Sequence, residues 1–458
     1  MSRGILAVGA YAPGSRVPAE AFEDAWGRFD APGIETKAVP DADEDALTMA
    51  VEAGRRALSA ADRAGTGVEQ LAFATTTPPL AEGDLTARLG SYLDVPADAL
   101  RRTHTGSTRA GIDALLDAVG TDRTALVVAS DCPEGEPDDS REHAAGAGAA
   151  AFLVGDDAPA IIGDRGSHAD PRPGTRFRGR GNSDLDGLDI GTYDREAFIE
   201  PVEAAVGALD DDTVPEAVAL QAPNGKLPYR TALDTDAIAA VETVSELGDT
   251  AAAGVPLSIA TAFDAGHDET LAIGWGSGAG ATAVRVEGTA PVEASLSAED
   301  EIEYPAYLRR RGDIVGEKPD GGAAHVPVPT WRRAIAQRHR HESGLCPECG
   351  AVAFPPEGAC PECHALVEFE SVTPTLDGVV EAATTIGQGG APPEFAEQTA
   401  RQGSFGVAIV RFEAGNGEVS LPMQVVESAA VGDPVRAVPR RVYVEEGVPR
   451  YGLKALPR

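Results

Sequence analysis

Cys346, Cys349, Cys360 and Cys363 form two C-x-x-C pairs with ten residues between them, in CPECGAVAFPPEGACPECH. Thiolates at this spacing close a tetrahedral site, and four of them fill the coordination shell. The expected occupant is a structural Zn2+ with no open position for water or substrate. An iron–sulfur cluster or a redox dithiol is the competing use, and His364 is read as an exposed neighbour. A second candidate lies at RRTHTGSTRAG, residues 101–111, where small residues and glycine run into the helical pattern IDALLDAV. Acyl-transfer enzymes mount nucleophiles at such places, because the amides at a helix start stabilise developing negative charge. The stretch holds no thiol. Ser107 reads as a cap for the helix that follows, and His104 as a solvent-facing or structural residue. The fifth cysteine, Cys132 in SDCPEGEP, reads as a structural thiol, and Glu142 and His143 as polar residues of a helix first turn.

The elements that position these residues fall into two compositions. Residues 1 to about 315 alternate short apolar runs (LAFAT, ALVVAS, AAFLVG, AVALQ, LAIGW) with helical patterns such as ALTMAVEAGRRAL, which predicts layered α/β structure. The order LAFATTTPP, small-residue loop, helix, ALVVASD returns as AVALQAPNGK, LGDTAAAGVP, helix, LAIGWGSG. This predicts two duplicated halves whose loops face one another. Residues 316–330 read as a linker, 331–370 as a zinc ribbon with a preceding helix, and 371–458 as five short strands of a small barrel of OB type.

Asp plus Glu number 73 against 38 Lys plus Arg, a net charge of −35, and the only lysines are Lys37, Lys226, Lys318 and Lys454. Such a surface fits a protein kept soluble in high salt and repels nucleic acid and anionic membranes. A zinc ribbon with an OB barrel and the basic stretch RRAIAQRHRH fits nucleic-acid binding. However, acids still outnumber Lys plus Arg from Trp331 onward and few aromatics are available to stack bases, so that use is disfavoured. No signal peptide or long apolar run is evident, and a cytoplasmic protein is expected.

GILAVGAYAPGSRV, KAVPDADEDALTMAVEA, EHAAGAGAAAFLVG, QAPNGKLP, GWGSGAGATAV and YPAYLRRRG together resemble the archaeal hydroxymethylglutaryl-CoA synthases of the thiolase superfamily, across nearly all of residues 1–315. The C-terminal part, with its two C-x-x-C pairs and APPEFAEQ before FGVAIVRFE, is similar to the zinc-ribbon/OB proteins (DUF35-type) that accompany acyl-CoA thiolases in archaea. The resemblance implies a duplicated thiolase-like fold, layered α/β/α/β/α, followed by the ribbon and barrel, with a haloarchaeal character.

The family's chemistry uses a cysteine nucleophile, a glutamate acid/base and an orienting histidine. On this chain those positions fall on Thr103, Thr76 and Gln221, and the family's second-half asparagine falls on Asp249. The glycine loop with Gly276, Ser277 and Gly278 is kept, and it and Lys226 are the expected contacts for CoA or acyl-CoA. The resemblance therefore implies an acyl-CoA-binding subunit with condensation absent or reduced, homodimeric through residues 1–315 and partnered with a catalytic thiolase. An active acyltransferase using Thr103 or Cys132 is the alternative.

Overall fold

The computed structural model describes residues 3–188, 193–210, 213–315, 328–387, 395–445 and 447–458. Most of the expected linker, 316–327, lies outside the described residues. The chain divides into two compact units, one made of residues up to Tyr307 without Ala42–Glu44, the other of Leu308–Arg458 with Ala42–Glu44.

In the first unit the apolar runs become strands buried along their whole length, as strands covered on both faces must be. Gln70–Ala74 (QLAFA) and Ala125–Asp131 (ALVVASD) have no exposed residue. One hydrogen-bonded path orders the strands Ala217–Leu220, Glu269–Gly276, Gly280–Glu287, Ala160–Ala169, Arg3–Tyr11, Gly148–Asp156, Ala125–Asp131, Gln70–Ala74 and Leu100–His104, with Val292–Ser295 branching from Arg3–Tyr11. The expected duplication is visible in the pairing. Gln70–Ala74 runs parallel to Ala125–Asp131, which is antiparallel to Gly148–Asp156. Likewise Ala217–Leu220 runs parallel to Glu269–Gly276, which is antiparallel to Gly280–Glu287. Gly4 and Ile5, opposite Ile161 and Ala160, join the two halves.

Helices pack on this sheet because their apolar faces are continuous. Ala46–Ala60 starts at Asp45, whose carboxylate accepts from the amides of Leu47 and Thr48 while the Thr48 hydroxyl accepts from the Asp45 amide. The helices Ala110–Val119 and Gly254–Ala265 contribute Ile112, Leu115, Leu257 and Ile259 to one core with Val127, Phe152 and Val284. A buried ion pair supports the same unit: Lys37 Nζ lies 2.7 Å from Glu142 Oε1, and the Tyr307 hydroxyl donates to that oxygen at 2.5 Å. Glu142, read from sequence as a first-turn polar residue, is thus fully buried and committed to Lys37 and Tyr307.

In the second unit five strands close a barrel: Asp377–Ile386, Phe405–Ala414, Gly417–Val425, Pro434–Glu445 and Val448–Pro457. Going around, the order is first, second, third, fifth, fourth and back to the first. Alternating burial along Gly417–Val425 shows one face turned to the barrel interior. Three short strands, Ser343–Leu345, Val352–Ala353 and Glu370–Val372, form a separate sheet that frames the cysteine pairs. Among the described residues no helix is long and apolar enough to cross a membrane.

Candidate functional site: a loop cluster and a four-thiol centre

The four sulfurs converge. Cys346 Sγ lies 3.8 Å from Cys363 Sγ and Cys349 Sγ 3.6 Å from Cys360 Sγ, and all four fall within 4.8 Å of one another. A tetrahedron with zinc–sulfur bonds of about 2.3 Å has edges of about 3.8 Å, so the donor set fits Zn2+ in both chemistry and spacing. Each C-x-x-C pair turns in the same way. The Gly350 amide donates to the Cys346 carbonyl and the His364 amide to the Cys360 carbonyl, with φ of +75° and +58° at those two residues. His364 therefore occupies the turn position that Gly350 fills in the other pair.

In the first unit the loops at the strand ends meet around two buried carboxylates. Asp131 ends its strand and is wholly buried. It accepts from the hydroxyls of Thr75, Thr76 and Thr77, from the amides of Thr76 and Thr77, and from the amide of Ala252. Its two oxygens are saturated by donors from both halves of the fold, so it acts as a staple and has no lone pair left for a substrate proton. Thr76 is bound into this staple.

Asp249 organises the opposite loop. It accepts from Gln221 Nε2 at 3.0 Å, from the Ala251 amide at 2.9 Å and from Arg176 Nε at 2.7 Å. Gln221 and Asp249, two positions singled out from sequence, are thereby brought into direct contact, and the short turn Ala251–Ala253 links them to Asp131. Thr103 is not drawn in. It is exposed on the edge strand Leu100–His104, opposite Phe73, and among the described residues no side-chain bond connects it to Thr76 or Gln221. His104 Nε2 lies 3.7 Å from Asp117 Oδ2, outside hydrogen-bond distance, on the helix side of that strand. Ser107 Oγ accepts from the Arg109 amide at the start of the following helix.

The glycine loop is a tight hairpin turn. Gly276 pairs with Gly280, and Gly278 has φ of +100°. The close approach that glycine permits here is to the protein itself: a Cβ on Gly276 would stand 2.5 Å from Ser107 Oγ, and one on Gly274 2.4 Å from Ile112 Cγ2. Ser277 Oγ accepts from the Arg176 amide at 2.9 Å, which makes it a support for the Arg176 segment. Lys226 is exposed, beside an Asn224 side chain that accepts from the Lys226 and Leu227 amides.

Beside this network a cleft of about 710 Å³ is lined by Asp30, Arg141, Arg176, Asp194, Asn224 and Asp249, among others. Arg176 was missed in the sequence, where it reads as one arginine of RFRGR. Cys132 lies at the end of the Asp131 strand, and the Thr77 hydroxyl accepts from its amide at 2.9 Å. Burial, together with Glu134, Asp45 and Asp131, pushes its pKa far above the ordinary thiol value, so it remains a thiol at neutral pH.

The chain is 26% identical over 341 residues to the hydroxymethylglutaryl-CoA synthase of Pyrococcus horikoshii, a match covering 67% of this chain and 92% of that one. The chain is similar to the hydroxymethylglutaryl-CoA synthases, and its first unit has a thiolase-like α/β fold. The corresponding enzyme of Aeropyrum pernix is 27% identical over 349 residues, covering 69% of this chain and 96% of its own. That of Thermococcus onnurineus is 35% identical over a shorter stretch of 158 residues, 33% of this chain and 45% of its own. Among solved structures, an HMG-CoA synthase complexed with CoA superposes with a TM-score of 0.62 at 15% identity, covering 71% of this chain and 95% of that one. A 3-oxoacyl-(acyl carrier protein) synthase III from Pseudomonas aeruginosa gives 0.56 at 17% identity, covering 64% and 100%. No family model matches the chain.

Proposed function

We propose that this thiolase-like chain handles acyl-CoA without running cysteine-based condensation, as a non-catalytic or modified subunit working beside a catalytic thiolase. The observation that carries the reading is the state of the polar groups where the two halves meet. Asp131 is saturated by six donors, and Asp249 is held by Gln221 and Arg176. The one cysteine nearby is held protonated by burial. Condensation needs a nucleophile that ionises or passes its proton to a base, and Gln221 cannot serve as that base at neutral pH.

CoA or acyl-CoA is the ligand that the relatives' chemistry brings to this fold, with Lys226 and the loop Gly276–Ser277–Gly278 at the edge of its path. In the second unit Cys346, Cys349, Cys360 and Cys363 would hold a structural Zn2+, which stiffens the two turns and leaves no position open for chemistry. The closure order of the barrel supports an OB-type module of the DUF35 kind, the part expected to reach the thiolase, while the first unit forms a homodimer.

Intact-mass measurement after incubation with acetyl-CoA tests this directly. The expected result is no acyl-enzyme and no condensation with acetoacetyl-CoA, for wild type and equally for Thr103→Cys, because Thr103 faces solvent on an edge strand. A stable acetyl adduct on Cys132 or Thr103 would establish the alternative, an active acyltransferase. Affinity capture in molar potassium chloride should recover a thiolase, and truncation after Val315 should lose it.

A further inference from the structure

A second cavity of the first unit gathers hydrogen-bond acceptors that no group of the protein meets. Gln221 supplies the deepest of them. Its Nε2 donates to the Asp249 carboxylate, which can only accept, so the orientation of the side-chain amide is fixed and Oε1 turns the other way, toward Gly254 and Thr250. Gln221 is 1% exposed, and this oxygen is buried without a hydrogen-bond partner. An unmet buried acceptor is costly, and an arriving donor removes the cost. Gly254 opens the helix Gly254–Ala265 and leaves the oxygen uncovered: a Cβ there would stand 2.6 Å from Gln221 Oε1 and 3.5 Å from Thr250 Oγ1.

The cavity, of about 410 Å³, has an apolar wall made by Val218, Leu220, Pro228, Ile238 and Val244. Its polar lining comes from Gln221, Tyr229, Glu242, Thr250 and Ser258. Ser258 follows Gly254 by one helical turn and so shares its face. Among the described residues the hydroxyls of Tyr229, Thr250 and Ser258 make no hydrogen bond within the protein, and Glu242 has no cationic partner. One Glu242 oxygen accepts from the Ser245 amide at 3.1 Å, and the other is left over. Burial, and after it the Glu242 charge, raises the pKa of the Tyr229 phenol, which sets the ring and the carboxylate side by side.

We propose that this cavity binds a small primary amine as its alkylammonium ion. The lining selects that class. Gln221 Oε1 and the Glu242 carboxylate only accept hydrogen bonds, and an ammonium group only donates them, through three hydrogens. A single carboxylate among neutral oxygens matches a single positive charge, whereas Ca2+ or Mg2+ takes about six or more oxygen ligands in a defined geometry. An anion would meet both acceptors with no cation to offset them. The Tyr229 ring, 38% exposed, adds an aromatic surface beside the charged end. The apolar wall takes up the alkyl part, which a water molecule or a bare ion would leave without a partner. The proposal goes beyond the acyl-CoA reading above and does not depend on it.

Ligand-observed NMR titration of the full-length protein in molar sodium chloride, with butylammonium, 1-butanol, butyrate and ammonium as probes, tests the proposal. Butylammonium is expected to bind about tenfold more tightly than either 1-butanol or ammonium, and butyrate not at all. Glu242→Gln keeps an acceptor for the Ser245 amide and removes the charge. It should bring butylammonium down to the affinity of 1-butanol while the thermal midpoint stays where it was. Ser258→Val, which adds volume inside the cavity, should abolish binding of both. Equal affinity for butylammonium and 1-butanol overturns the proposal, since the acceptors would then select nothing. Butylammonium binding no tighter than ammonium overturns it in favour of a simple cation site. Binding that survives both substitutions places the amine on the acidic surface and removes the cavity from the account, as does the absence of any butylammonium binding.

Discussion

The four-thiol centre and the Asp131 cluster are both tight gatherings of polar side chains, and they differ in what satisfies them. Around Asp131 six donors from both halves of the fold meet the carboxylate, leaving it nothing to offer a ligand. At the cysteines four sulfurs converge within 4.8 Å of one another, two of the residues buried, with spacings that match a tetrahedral ion. Convergence alone therefore does not mark a ligand site. Convergence with unmet bonding capacity does, and by that criterion the thiols qualify where Asp131 does not.

The largest effect should come from breaking the thiol centre. Cys349→Ser removes one ligand, and structural zinc in small modules contributes on the order of 10 kcal/mol or more to folding. One zinc per chain in wild type and none in the variant is the expected metal analysis. The ribbon region should become protease-sensitive while the first unit keeps its thermal transition. Zinc-free wild type, prepared without chelator and equally protease-resistant, would leave the cluster without a metal role.

Next comes the staple. Asp131→Asn turns an acceptor-only group into one whose NH2 faces amide and hydroxyl donors, and it removes the charge that those donors had stabilised. The expected loss is about 3–5 kcal/mol, the range for uncoupling a buried charged network. Denaturant unfolding of the first unit checks it. A loss below about 1 kcal/mol would mean that Asp131 is not held as described, and it would then become a candidate for chemistry.

This contrast also explains what could be read in the sequence. The four thiols sit within eighteen residues of chain, so their spacing alone reports the cluster, and the barrel strands announce themselves by alternation, as along Gly417–Val425. The doubled halves were visible because each repeats the same short order of loop, helix and strand. The staple was not, because its donors lie 54 to 56 and 121 residues from Asp131. Arg176 was hidden for the same reason: its partners Asp249 and Ser277 are 73 and 101 residues away. The glycines of the GWGSG loop were read as space for a ligand, since a missing side chain does not say what comes close. Here Ser107 and Ile112 do.

The smallest effect concerns His143, a third gathering that lies between the two extremes. Its Nδ1 accepts from the Asp30 amide at 2.9 Å, so Nε2 carries the proton, and Nε2 is buried with no partner. The ring stacks on Phe29 at 5.5 Å and tilts against Phe22 at 4.8 Å. Burial, with the neighbouring Lys37 charge adding to it, holds the His143 pKa below 6.5, against the opposing pull of Asp30, Glu142 and Asp138. The unfolded chain thus takes up a proton near pH 6.5 that the folded chain refuses until lower pH. The contribution to stability is fully present above pH 6.5 and is lost as pH falls toward the folded value, with a slope of at most about 1.4 kcal/mol per pH unit. His143→Gln keeps an acceptor for the Asp30 amide and removes the titration. Unfolding free energies measured at pH 7.5, 6.5 and 5.5 should fall more steeply for wild type than for the variant. Parallel losses would show that His143 accepts a proton within the fold, through Nδ1 and at the expense of the Asp30 hydrogen bond.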